Sequence, residues 1–310
     1  MRAAVLHEYG VPSPGDFEEP AAGPERAVVQ VLAAGVNPVD ATISSGRFYG
    51  GRPTLPSVVG REGVGTLDGE RVYFDAPVPP FGSMAECTLI DPRGTYQVPD
   101  EVDDGVAVAL GISGLAAWLA LTWRAQLRAG EHVLVLGASG VVGQIAVQAC
   151  KLLGAARVVA AARSQAGLDR AVELGADAAV RLGEPDDLPA ALAEAAAGRI
   201  DVVIDPLWGE PAAAAIDAAS FGARVVHLGA SASRRATISS AAVRGKMLVI
   251  MGHTNFAAPP EIKAEAYGQM AHAAARGELR VEVRRMPLER VEEAWRQLQA
   301  SAHRKIVLVP

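Results

Sequence analysis

The chain of 310 residues is poor in cysteine, in aromatic residues and in clustered charge. Two cysteines, Cys87 and Cys150, are too few for a disulfide framework or a cysteine-built structural zinc lobe. The six histidines, at 7, 132, 227, 253, 272 and 303, show no ligand-like spacing and no H-E-x-x-H, so no catalytic zinc is expected. No G-x-S-x-G occurs; Ser113, Ser139 and Ser231 all miss that spacing, which sets a serine hydrolase aside. Twenty-nine Lys and Arg stand against 35 Asp and Glu, a formal net charge of −6 with no basic cluster. That argues against a nucleic-acid or anionic-membrane surface. No apolar run approaches the roughly 20 residues of a membrane helix, and Met1 leads directly into a strand-like segment. The expectation is a cytoplasmic α/β protein whose length suits two domains and whose 50% hydrophobic content allows sizeable cores.

What is present centres on Val133 to Cys150, VLVLGASGVVGQIAVQAC. Val133 to Leu136 is a short continuous apolar run, as in a parallel strand buried on both faces. Glycines at 137, 140 and 143 follow, then apolar residues at 142, 145, 146, 149, 152 and 153 on one helical face. Strand, glycine turn and helix start in that order suit a dinucleotide pyrophosphate, because free N–H groups and the helix dipole point at one place. Read as G-x-G-x-x-G, the motif departs at its first position: Ala138-Ser139-Gly140-Val141-Val142-Gly143. Arg157 to Ala162 reads as the next strand and closes a βαβ unit. An NAD site places an acid at the end of that strand, for the ribose 2′-OH. Here the neighbourhood is Ala162-Arg163-Ser164, and an arginine suits a 2′-phosphate, so NADP(H) is expected. Arg170 and Arg181 are candidate second phosphate contacts that also read as ordinary surface charges.

Residues 1 to about 105 read mainly as β structure: Ala3–Leu6, Ala27–Ala34, Val58–Leu67, Arg71–Asp75 and Ala85–Ile90, separated by Gly and Pro clusters. Asp103 and Asp104 open an Ala/Leu/Trp-rich helical stretch. Strand-like runs then alternate with helical segments: Ala178–Leu182, Asp201–Asp205, Ala223–Leu228 and Met247–Met251. That alternation implies a doubly wound parallel sheet from 113 to 253. The tail reads as a helix (Glu261–Arg276), a strand (Leu279–Val283), a helix (Leu288–Ser301) and a final run, Ile306–Val309. That run returns to the N-terminal β domain, giving a discontinuous domain of 1–112 and 254–310.

The landmarks AGVNPVDATISSG (34–46), LPSVVGREGVGTL (55–67), GERVYF (69–74), FGSMAECTLI (81–90), GISGLAAWLAL (111–121), DVVIDPLWG (201–209), ARVVHLGAS (223–231) and KIVLVP together resemble the zinc-independent medium-chain dehydrogenase/reductases of the quinone oxidoreductase (zeta-crystallin-like) branch. The resemblance covers nearly the whole chain. It implies a GroES-like catalytic β domain beside a Rossmann domain, NADPH and substrate sharing the cleft between them, and usually a homodimer. It also implies no zinc: Asn37 stands where the zinc-dependent branch has a Cys ligand, and Arg61 where it has a His before Glu62.

Metal-free hydride donation suits acceptors that are already electrophilic, such as quinones and α,β-unsaturated carbonyls, and calls for hydrogen-bond donors at the developing oxyanion. The resemblance puts Asn37 near nicotinamide and substrate, either as such a donor or as a turn-stabilising Asn-Pro. Thr42 occupies the position of a tyrosine found in several quinone reductases, and Tyr49 is a pocket-lining or proton-donating candidate that also reads as a rim aromatic. Arg61 is either substrate-binding or a structural ion pair. On the cofactor side, Ser113 lies at the nicotinamide half. Strand ends supply Asp205, then Leu228, Gly229, Ala230 and Ser231, then Gly252 to Asn255. Arg304 and Lys305 are candidates for the cofactor phosphate or for surface roles, and His227 reads as a satisfied core histidine. Two alternatives stay open: an enoyl-thioester reductase, and a non-catalytic NADPH-binding sensor or structural protein.

Overall fold

The computed structural model describes residues 1–300 and 303–310. Backbone proximity divides it into two units, Met1–Ile112 with Tyr267–Pro310, and Ser113–Ala266. The second division falls inside the helix Pro260–Ala275, thirteen residues beyond the 253/254 boundary expected from the sequence. Strands are numbered in chain order.

The first unit is β-rich. Its strands are β1 (Arg2–Leu6), β2 (Ser13–Asp16), β3 (Ala27–Val36), β4 (Ser57–Val58), β5 (Gly63–Leu67), β6 (Glu70–Phe74), β7 (Cys87–Ile90), β8 (Thr95–Gln97), and, from the tail, β15 (Val283–Pro287) and β16 (Lys305–Val309). One sheet runs β2-β1-β4; the larger runs β15-β16-β3-β5-β6-β8, with β7 on β3. β3 buries Val29 and Val31 while Gln30 and Leu32 face out, the alternation of a half-buried strand. β16 pairs antiparallel with it, Ile306 opposite Val36 and Leu308 opposite Ala34. The core joins Leu6, Val29, Phe74, Met84, Trp295 and Leu308. The continuous strand expected over Val58–Leu67 is broken by Gly60, whose φ of +105° turns the chain between β4 and β5. The tail strand lies at Val283–Pro287 rather than Leu279–Val283, and the following helix spans Val291–Gln299; Ser301, its expected end, lies outside the described residues.

The second unit is a six-stranded, wholly parallel sheet in the order β11-β10-β9-β12-β13-β14. Its strands are β9 (His132–Leu136), β10 (Arg157–Ala162), β11 (Ala178–Arg181), β12 (Val202–Asp205), β13 (Arg224–His227) and β14 (Val249–Gly252). Helices Val141–Leu152, Gln165–Glu173, Leu188–Ala195, Glu210–Ala218 and Ser240–Gly245 alternate with them, which makes this the doubly wound α/β fold. Because every strand points the same way, all six carboxyl ends share one edge. The order reverses between β9 and β12, and ligands of such sheets bind at that switch point.

The helical run Asp104–Arg124 has the length and hydropathy of a membrane span, contrary to the sequence expectation, but 78% of its apolar window is buried inside the protein, as for a core helix. It kinks at Gly111, whose ψ is −117°. A Cβ there would stand 2.1 Å from the Tyr73 ring, so only glycine fits.

Candidate cofactor and active site

The turn after β9 is built for an anion. Gly143 touches the turn so closely that a Cβ would lie 2.4 Å from Gly137 O and 2.6 Å from Ala138 Cα. Gly140 is the N-cap of the helix Val141–Leu152, extended at φ −80° and ψ 165°, and no side chain caps that helix. The amides at Val141, Val142 and Gly143 thus open a helix N-terminus toward the sheet edge. The missing first glycine of the motif is explained by φ: the left-handed residue is Gly137 at +63°, one position earlier, while Ala138 is fully buried and donates its N–H to Ala161 O at 3.1 Å. Sequence reasoning missed Gln144, a buried amide whose Nε2 donates to Ser139 O at 2.8 Å and holds the turn. A polar residue in an otherwise apolar helix face was the available signal.

At the end of β10, Arg163 is exposed, and its guanidinium has no ion-pair partner among the described residues. Ser164 accepts from Gly167 N at 3.2 Å and caps the next helix. Arg170 pairs with Glu173 on its own helix at 2.9 Å, and Arg181 with Glu184 at 2.6 Å, so both behave as ordinary surface charges. The ends of β12 and β13 are tied to each other. Leu228 N donates to Asp205 O, Ser231 Oγ to Pro206 O at 3.0 Å, and Gly252 is exposed at the end of β14. Ser113, buried, begins this unit. His227 departs from expectation: it is partly open, with its Nδ1 3.2 Å from the buried carboxylate of Asp205. Arg304 belongs to the other unit, where its Nε meets Glu282 at 2.8 Å.

The β-rich unit holds a buried polar cluster. Glu62, 0% exposed, accepts four hydrogen bonds: Oε1 from Asn37 Nδ2 (2.9 Å) and Lys305 Nζ (2.5 Å), Oε2 from the Tyr73 hydroxyl (2.8 Å) and Ile112 N (2.6 Å). Lys305 Nζ also donates to Asn37 Oδ1 at 2.6 Å. Asp40 accepts from Asn37 N at 2.8 Å, from Asn37 Nδ2 at 3.2 Å and from Arg61 N at 3.0 Å. Burial first, then the Glu62 charge, lifts the Asp40 carboxyl to about 6. Burial likewise pushes the Tyr73 hydroxyl well above its ordinary range, so it remains a donor.

This arrangement corrects three expectations. Both Asn37 amide hydrogens face carboxylates, so the side chain offers no spare donor to an oxyanion. Lys305, read as a surface or phosphate contact, is 2% exposed and is the cation that Glu62 pairs with. Thr42 Oγ1 donates to Pro38 O of its own helix at 3.0 Å, and Tyr49 is 78% exposed beside Phe48, the place of a rim aromatic.

Rat quinone oxidoreductase is 32% identical over 75% of this chain and 74% of its own length. The chain belongs to the quinone oxidoreductase family of medium-chain dehydrogenase/reductases. The guanaco (Lama guanicoe) enzyme is 29% identical over 100% of this chain and 97% of its own. A family model described as zinc-binding dehydrogenase matches residues 141–271. Among solved structures, the quinone oxidoreductase of Thermus thermophilus, also solved with NADPH, covers 100% of both chains at a TM-score of 0.83 and 28% identity. A mycobacterial quinone oxidoreductase at 23% identity and a TM-score of 0.89 attests the fold.

The zinc that the family model's description implies does not fit the polar cluster. An ammonium already bridges Glu62 Oε1 and Asn37 Oδ1, no cysteine or histidine is among the donors, and the described residues hold no group of three or more His, Cys, Asp or Glu suited to a metal. NADPH does fit the parallel sheet: an uncapped helix start, a glycine at closest approach and an arginine without an ion pair among the described residues line its carboxyl edge.

Proposed function

We propose that the chain is an NADPH-dependent, zinc-independent oxidoreductase that reduces a quinone or an α,β-unsaturated carbonyl. The observation that carries this reading is the edge running from Gly140 to Arg163: an uncapped helix start at the switch point, followed by a guanidinium with no ion pair among the described residues where an NAD site has an acid. NADPH, when bound, supplies the hydride. The amides from Gly140 to Gly143 would grip its diphosphate, and Arg163 with Ser164 its 2′-phosphate. Ser113, Asp205, Leu228 to Ser231 and Gly252 would bound the nicotinamide half. Asn37, as part of the cluster around Glu62, keeps the β-rich unit in shape rather than donating to substrate.

The test is a titration. NADPH binds at least about tenfold tighter than NADH, a gap of roughly 1.4 kcal/mol, and Arg163→Ala abolishes the gap. Equal affinities in the wild type refute the 2′-phosphate reading. Loss of NADPH absorbance with 1,4-benzoquinone, 9,10-phenanthrenequinone or an alkenal identifies the reaction, and a chelator leaves it intact; binding without turnover across that panel returns the chain to the sensor class.

The same reading makes the protein a homodimer. β14 is the outer strand of the parallel sheet, and Val249 and Ile250 on it are 47% and 37% exposed, with Met247 nearby at 66%. A bare apolar edge of this kind templates pairing with a second copy. Light scattering should give twice the chain mass, and Ile250→Lys should give the monomer.

A further inference from the structure

Reduction consumes a proton, and the carboxyl edge of the parallel sheet offers a source for it. β12 ends on Asp205 and β13 on His227, paired in register, so both side chains stand on one face at that edge. Asp205 is completely buried. Its Oδ1 accepts the N–H groups of Leu207 and Trp208, both at 2.9 Å, and its Oδ2 lies 3.2 Å from His227 Nδ1. With Asp205 Oδ1 already taken by two N–H groups and Oδ2 facing Nδ1, the nitrogen left open for chemistry is Nε2. Nε2 has no hydrogen-bond partner among the described residues, and the side chain is 31% exposed. The ring leans on Trp208, centroids 4.4 Å apart, which fixes its plane. Trp208 sits at φ +58° and Gly209 at +72°, where a Cβ on Gly209 would meet Ser233 Cβ at 2.7 Å. Ser231 Oγ and Ala232 N bond back to Pro206 O and Leu207 O, so the two turns that flank the imidazole are laced together. A buried carboxylate that orients an imidazole whose other nitrogen is open is a proton-transfer arrangement.

We propose that His227 is the proton donor of the reaction, with Asp205 as its positioning residue. This rests on the reductase reading above. With an enone, hydride supplied by NADPH forms the new C–H bond at the β-carbon, and the C=C pair moves to give an enolate. The enolate oxygen takes the proton from Nε2–H, the N–H bond breaks, and the enol becomes the saturated ketone in water. The neutral imidazole regains a proton from solvent at its open edge. The sum is enone, NADPH and one proton in, ketone and NADP⁺ out.

His227→Gln keeps a donor for Asp205 but cannot transfer a proton; His227→Ala makes room for a free imidazole. Both variants should bind NADPH within about threefold of wild type by fluorescence titration. Turnover of an enone should fall about a hundredfold in each, and millimolar imidazole should restore the alanine variant only. Independently of turnover, adding phenol to the NADP⁺-saturated wild type should shift the ¹⁵N resonance of His227 Nε2. A folded, NADPH-binding His227→Gln within threefold of wild-type turnover overturns the proposal, as does an unmoved resonance. A wild type that binds NADPH and reduces no quinone or enone sinks the reductase reading instead, and this one with it.

Discussion

Replacing Lys305 by methionine keeps most of its volume and deletes a buried ammonium. Glu62 Oε1 is then left with Asn37 Nδ2 as its remaining donor, and Asn37 Oδ1 loses Lys305 altogether. Two buried carboxylates, Glu62 and Asp40, both bound by Asn37 Nδ2, would then lack the cation that offsets their charge. Breaking one side of such a pair costs about 3–5 kcal/mol, because the surviving charge stays out of water. The loss should be largest near pH 8 and shrink toward pH 5, since Asp40 already holds its proton up to about 6 and takes it more readily once the ammonium is gone. Urea unfolding reads the magnitude, and hydrogen exchange over β16 and residues 60–67 should localise it. Lys305→Met with Glu62→Gln removes both charges, so the double variant should be more stable than the sum of the single losses implies, by about 1–3 kcal/mol. A single loss below about 1 kcal/mol, or strict additivity, would refute the claim that this pair is coupled and buried.

Asp40 predicts a pH dependence of its own. Its folded pKa of about 6 lies above the ordinary 3.8, so its protonated form stabilises the fold below pH 4, and that contribution is lost as pH rises through 6. The stability of wild type relative to Asp40→Asn should therefore fall by about 2 kcal/mol between pH 4 and 7, measured by urea midpoints; a flat difference falsifies the assignment. Gly143→Ala would drive a methyl against backbone at 2.4 Å and 2.6 Å, so the helix must retreat from the turn. NADPH affinity should drop more than about tenfold while the β-rich unit keeps its exchange protection; unchanged affinity would show that the turn does not hold the diphosphate.

Much of the second unit was legible in the sequence because its signals are local. Apolar runs such as Val133–Leu136 and Val202–Ile204 are what a strand covered on both faces requires, and the glycine spacing at 137, 140 and 143 is set by contacts within one turn. The tail strand was harder: Val283–Pro287 carries exposed Arg284 and Arg285 and buries mainly Met286, so the apolar pattern pulls the reading back to Leu279, which is buried without being in a strand. β2, Ser13–Asp16, contains Pro and Gly and reads as a turn; it is a strand because its backbone pairs with β1.

The candidate site divides along the same line. The turn at Gly140 and Gly143 could be read because its geometry depends on the chain immediately around it. Asn37 and Lys305 could not, since an Asn-Pro step and a lysine before an apolar strand look alike whether exposed or buried. Their roles follow from a contact between residues 62 and 305, far apart in the sequence. His227 shows the converse. An apolar strand around a histidine favours a silent core role, and only the pairing of β12 with β13 brings a buried carboxylate beside its ring. A lone histidine in such a strand says little, whereas one in register with an aspartate at the carboxyl edge of a parallel sheet marks chemistry, because the fold keeps the acid dry and leaves the imidazole in reach of solvent.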